Sequence, residues 1–229
     1  KAKYFFFHFK FFNKKYNNFM FYKILKKIIL HFTNPILAIK FDLRKLYFLY
    51  SYYYLVKYKK IFLPKTDNLI PADYIDLLNL YKIILNIKPK KVLEVGSGYS
   101  TFVILRALND LKLKKNEKFI FYSLEQDTWY LNEMKSLFHK DDFNILKFIK
   151  VDLEIKEING KEVSICKNFP DDKINFFYED RADHPKYSIA GDSLMIEENM
   201  PDDYSICVDG MSDTVNFLKL NLRRKYKIN

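Results

Sequence analysis

The run KKVLEVGSGYSTFVILRAL, residues 90–108, constrains this chain more than any other part of it. Glycine occurs only five times in 229 residues, and two of the five, Gly96 and Gly98, fall in this run. Val92 to Val95 reads as a short buried strand launched after Pro89, and Ser100 onward reads as an apolar helix. The glycines therefore form a strand-to-helix turn. Such a turn lets backbone N–H groups and a helix N-terminus face a ligand at close range. Glu94 lies in the apolar strand, where burying a carboxylate is costly without a partner. Of the other glycines, Gly160 follows Asn159 in EIKEINGKEVSIC and predicts a β-hairpin with a primed turn. Gly191 opens the helical stretch GDSLMIEENM and Gly210 ends YSICVDG. Neither Gly160 nor Gly191 is assigned a function.

Strand and helix signals alternate along the rest of the chain. KFIFYSL predicts a second strand that ends at Glu125, where doubly wound folds place an acid for two ribose hydroxyls. A third strand is expected at 145–151 with Asp152 just past its end. After the hairpin, INFFYEDRADHP reads as a fourth strand ending at Glu179-Asp180. A helix at 189–199, a fifth strand ending at Asp209-Gly210 and a helix at 212–225 follow, and Tyr226 to Asn229 looks like the start of a sixth strand. This order predicts an α/β fold: a Rossmann-like, doubly wound, mostly parallel sheet.

The pattern VLEVGSGYS resembles the first motif of the class I S-adenosylmethionine-dependent methyltransferases, with Ser100 where many members carry a third glycine. The resemblance covers roughly residues 85 to 229. It implies S-adenosylmethionine as cofactor, with the loop wrapping its methionine part and the strand acid helping to hold its ammonium group. Those roles fall to Glu94, Gly96, Ser97, Gly98 and Ser100. It further implies Glu125 at the ribose and Asp152 at the adenine, with Trp129 either covering the adenine or simply packing. The family's sheet has seven strands, so a sheet truncated after strand five is expected here. The expectation is that the natural protein continues past Asn229 or that the chain compensates with its leader.

Ligands of open α/β sheets bind beyond the carboxyl ends of the strands. Glu94, Glu125, Asp180 and Asp209 all fall at or near such ends. Asp180, His184 and Asp209 are the candidate catalytic residues. A base is needed only if the acceptor loses a proton, and His184 has the more suitable ordinary pKa. The equal alternative is that Asp180 caps a turn and His184 is exposed loop, and Asp209 is likewise either a site acid or a turn former. Metal-assisted members of the family use acids after strands four and five, usually followed by Asn. Here Gly210 follows Asp209, so no metal is expected.

Residues 1–63 hold 14 basic and 1 acidic residue, against 25 and 27 for 64–229. The chain therefore divides near Pro64 into a basic, aromatic extension and an S-adenosylmethionine-binding domain at 64–229. Helices are expected at about 19–32 and 36–60, separated by Asn34-Pro35. Residues 1–32 have the basic and aromatic make-up of a helix on an anionic membrane surface, although the same composition suits a helical core face. No run is long enough to span a bilayer. Nucleic acid is not expected, because no binding motif accompanies the charge. The two cysteines, Cys166 and Cys207, form no metal or disulfide pattern, which suits a reducing compartment. A cytoplasmic location, peripheral at the inner membrane face, is the expectation.

Two functions of different class follow. The first is methyl transfer to a small-molecule or glycan-like acceptor. The second is a non-catalytic nucleotide-binding or membrane-surface module. A dinucleotide-dependent oxidoreductase ranks below both, because the glycine pattern lacks its third member.

Overall fold

The computed structural model describes residues 4–9, 35–61, 64, 73–115, 117–181, 189–210 and 212–228. Its centre is a seven-stranded sheet in the order β4-β3-β2-β7-β8-β1-β9, with every pairing parallel. The strands are β1 (Tyr4–Phe9), β2 (Lys91–Val95), β3 (Ile120–Glu125), β4 (Leu146–Lys150), β7 (Phe176–Glu179), β8 (Ser205–Gly210) and β9 (Lys227–Ile228). The helices are α1 (Pro35–Tyr52), prolonged by a π-helical turn at Tyr53–Tyr58, then α2 (Tyr74–Ile87), α3 (Tyr99–Lys115), α4 (Thr128–Ser136), α5 (Asp192–Ile196) and α6 (Ser212–Asn221). The fold is α/β and Rossmann-like, as the alternation predicts.

The central strands β2, β3 and β7 are buried on both faces, as a parallel sheet covered by helices requires. Within β2 the period-two alternation sends Val92 to the core under α2 and α3, and Leu93 and Val95 to the core under α5 and α6. Glu94 shares the Val92 face, beneath α3. Its register partner on β3 is Ser123, which decides how its carboxyl is held.

Local chemistry sets the ends of the elements. Asp73 caps α2 by accepting from the Ile75 N–H at 2.8 Å, and Asp127 caps α4 by accepting from the Tyr130 N–H at 2.7 Å. The predicted hairpin is β5 (Leu153–Ile158) with β6 (Lys161–Cys166), turning through Asn159 (φ 50°) and Gly160 (φ 74°). Two positive φ angles in succession are what a primed turn demands.

The N-terminal extension differs from expectation. Residues 4–9 are a strand rather than part of a helical extension. They pair in parallel with β8 on one side and β9 on the other. Consecutive aromatics favour extended backbone, and the outer edge of β8 offers a ladder of open N–H and C=O groups. The sheet therefore does not stop at five strands, and β9 falls where the start of a sixth was expected. The predicted helix at 19–32 lies outside the described residues. The second predicted helix is present as α1 and its π turn. The last helix ends at Asn221, four residues short of the expected boundary.

Candidate functional site

Strand order reverses between β2 and β7, so the connections leaving these neighbours diverge and open a crevice at their carboxyl ends. A cleft of about 230 Å³ lies there, lined by the 96–100 turn, the end of β3, Asp180 and Arg181 after β7, Asp209 near the end of β8, and the start of α2.

The turn is held from below. Gly96 has φ +95°, and a Cβ there would lie 2.3 Å from the carbonyl oxygen of Asp180, so only glycine fits. At Gly98 a Cβ would meet nothing nearer than Ser100 Oγ and Tyr130 Oη, both at 4.0 Å. The Gly98 N–H donates to Thr101 Oγ1 at 3.0 Å. Thr101 Oγ1 and Ser123 Oγ each donate to Glu94 Oε2 at 2.7 Å. With its proton so placed, Ser123 accepts from Ser97 Oγ at 2.8 Å. Glu94 is thus the keystone of a hydroxyl network under the turn. It is wholly buried and is not one of the residues lining the cleft. Burial pushes its carboxyl up to about 8; the Thr101 and Ser123 hydroxyls that donate to it oppose this and the Asp180 carboxylate adds to it. Its Oε1 and Ser100 Oγ are buried with no hydrogen-bond partner among the described residues.

Glu125, the last residue of β3, lines the cleft. Its Oε1 accepts from the N–H groups of Gln126 (2.8 Å) and Asp127 (2.9 Å), and its Oε2 accepts from the Ser97 N–H at 3.3 Å. One carboxyl therefore ties the end of β3 to the glycine turn. Burial raises its pKa, and these three N–H groups oppose the rise. Gln126 and Tyr130 line the same wall, and Gln126 Oε1 is a buried acceptor without a partner among the described residues. The aromatic of this wall is Tyr130 and not Trp129, which is 57% exposed and outside the lining. The Asp127 cap fixes the phase of α4 and so decides which ring turns inward.

On the opposite wall, Tyr178 Oη lies 3.4 Å from Asp180 Oδ2 and 3.3 Å from Asp209 Oδ2. The two predicted acids converge on one phenol. Burial, then the two carboxylates, holds that phenol well above its ordinary pKa. His184 lies outside the described residues. Asp152 is not part of the cleft: it is exposed and ion-paired with Lys150 at 3.2 Å, while its neighbour Val151 takes the lining position. Residues past a strand end alternate in direction, which sequence position alone does not reveal.

The sequence reading missed Arg181, which lines the cleft and is almost fully buried. Its guanidinium pairs with the wholly buried Asp192 at 3.2 Å and donates to the Ser164 carbonyl and hydroxyl at 2.7 Å each. It thereby fastens the β5–β6 hairpin to the cleft. Cys166, at the end of β6, also lines the cleft, but burial raises its thiol far above neutrality and leaves it a poor nucleophile. Among the described residues no group of three or more His, Cys, Asp or Glu is placed to hold a metal ion.

The strand order, the glycine turn and the strand-end acid define a Rossmann-like α/β domain with a ligand cleft at its switch point. No family model matches the chain, and no curated protein matches it. Among solved structures, the SAH-bound methyltransferase PaMTH1 of Podospora anserina is similar over 59% of this chain, with 14% identity and a TM-score of 0.33. The match spans half the length of that structure.

Proposed function

We propose that the chain is an S-adenosylmethionine-dependent methyltransferase for a small-molecule or glycan-like acceptor. The observation that carries this reading is the bond from the Ser97 N–H to the Glu125 carboxylate. In a dinucleotide site the N–H groups of the glycine turn cradle a pyrophosphate. Here the Ser97 N–H is occupied by a carboxylate and the Gly98 N–H by Thr101. A pyrophosphate at that place would meet negative charge and find two donors taken. A ligand with ribose hydroxyls and a cationic sulfonium has no such conflict.

Other features of the cleft fit the same cofactor. The open space at Gly98 admits a ligand close to the backbone. Gln126 offers a buried amide and Tyr130 a ring to a heteroaromatic base. Glu125 would take the ribose, the 96–100 turn the amino-acid part, and Glu94 would act beneath the turn. When bound, S-adenosylmethionine supplies an electrophilic methyl group, and transfer by in-line displacement depends mainly on positioning. The chain's own part is then to orient the acceptor and accept its proton. Asp180 and Asp209 flank Tyr178, whose single O–H proton serves one carboxylate at a time. Either carboxylate can take a proton from an acceptor hydroxyl or amine held between them.

Thermal unfolding with and without ligand tests the reading. S-adenosylmethionine or S-adenosylhomocysteine at about 100 times its Kd should add ~2.7 kcal/mol, raising Tm by about 5–10 °C. NAD should leave Tm unchanged. A shift with NAD alone would overturn the reading in favour of a dinucleotide site.

A further inference from the structure

We propose that the outward face of α1 and its π-helical turn docks on an anionic lipid surface. Among the described residues, eight of the fourteen exposed large apolar side chains fall between Leu43 and Tyr58. Leu43, Leu46, Tyr47, Tyr50 and Tyr53 recur at helical spacing, and Leu46, Leu49 and Tyr53 are each 60% exposed or more. A cluster of this density is what separates an interaction surface from scattered surface leucines.

The inner side of the same helix is already committed to the domain. Leu55 and Ser51 are wholly buried, Tyr52 sets its ring edge-on to Tyr74, as does Phe48 at the rim of the exposed stripe, and Tyr54 meets Tyr81. The outward stripe is therefore distinct from the core-facing side of the helix.

Charge chooses the occupant. Residues 43–60 carry Arg44, Lys45, Lys57, Lys59 and Lys60 and no acid; Arg44 and Lys59 pair with Asp73 and Asp110 of the domain, and Lys57 and Lys60 are exposed. Residues 10–34 of this chain carry six lysines and no acid, so like charge opposes that segment as a cover. A second copy would bring the same sign and the same difficulty. An anionic bilayer supplies the opposite charge together with a depth at which tyrosine rings and leucines are both accommodated. No helix among the described residues is long and apolar enough to cross a membrane.

The surface also adjoins the cleft. Arg44 pairs with Asp73, and Tyr47 donates to Asn79 on α2. Asp73 and Asp76, at the start of α2, line the cleft. Docking through α1 would bring the cleft to the headgroup layer, where a lipid-linked acceptor would be presented. This rests on the exposed face and not on the cofactor reading.

The test is flotation of the full chain with vesicles of phosphatidylcholine alone and of phosphatidylcholine with phosphatidylglycerol, alongside sedimentation velocity without lipid. The full chain should float with the anionic vesicles and sediment as a monomer. Replacing Lys57 and Lys60 together by Gln should lower the anionic-vesicle partition by ~25-fold, about fivefold per charge. The Leu46→Asn, Leu49→Asn double variant, altered only at exposed positions, should keep its melting curve and lose flotation. Equal partition on the two vesicle types, or a Leu46/Leu49 variant that floats as well as the parent, would overturn the proposal. So would a dimer that this variant dissociates, which would make a second copy the occupant. None of these readouts involves S-adenosylmethionine, so a failure here and a failure of the cofactor reading are distinguishable.

Discussion

Replacing Glu94 by Gln should make the protein more stable above neutral pH, although it alters the motif acid. In the folded chain burial holds this carboxyl at about 8, against an ordinary 4.5. The folded state therefore keeps a proton that the unfolded state releases, and stability must fall as pH rises from about 4.5 to about 8. At ~1.4 kcal/mol per pH unit the full loss is ~5 kcal/mol. Gln is neutral throughout. Its carbonyl can accept from Thr101 and Ser123 where Oε2 does now, and its amide can donate towards Ser100 Oγ, a buried acceptor without a partner among the described residues. Urea unfolding at several pH values between 5 and 8.5 measures the difference directly. The two proteins should agree within ~1 kcal/mol at pH 5 and diverge with a slope near ~1.4 kcal/mol per pH unit, the variant being the more stable. Parallel profiles, or a variant less stable at pH 8, would show that Glu94 is ionised and refute the neutral-keystone account.

Other consequences can be measured with simpler variants. Gly96→Ala puts a Cβ 2.3 Å from the Asp180 carbonyl at φ +95° and should cost ~3 kcal/mol by urea unfolding, whereas Gly98→Ala should stay within ~1 kcal/mol and instead weaken ligand binding. Asp192→Ala leaves the Arg181 guanidinium buried without its anion and should cost about 3–5 kcal/mol, and Arg181→Met with Asp192→Leu should recover much of that loss. If a cationic ligand draws the Glu94 proton off, binding at pH 7 should release a proton, so calorimetric enthalpies should differ between buffers of different ionisation enthalpy. That dependence should vanish in Glu94→Gln.

Much of the site could be read from residue order alone. Gly96 and Gly98 between an apolar strand and an apolar helix announce the turn, and Asn159-Gly160 announces the hairpin. Both follow from backbone conformations that other residues resist. Glu125 was legible because it ends a strand. What could not be read depends on pairings between distant residues. Glu94 faces inward on a hydroxyl network because β2 and β3 align it with Ser123, a register that local sequence does not encode. Arg181 meets Asp192 and Ser164 only after β6 pairs with residues 189–192. Tyr130 replaces Trp129 because a one-residue choice of helix start rotates α4 by about 100°. Residues 4–9 form a strand because an open edge some two hundred positions away pairs with them. Their own composition suits more than one state.

The central claim is that the switch-point cleft takes an S-adenosyl ligand and not a pyrophosphate. Isothermal titration of the protein with S-adenosylhomocysteine, with NAD as control and Glu125→Gln as the variant, tests it most directly. The account predicts micromolar binding of S-adenosylhomocysteine, none of NAD, and marked weakening in Glu125→Gln, whose amide must turn an N–H towards either Ser97 or the Gln126 and Asp127 donors. Binding of NAD, or a folded protein that binds neither ligand, would contradict it.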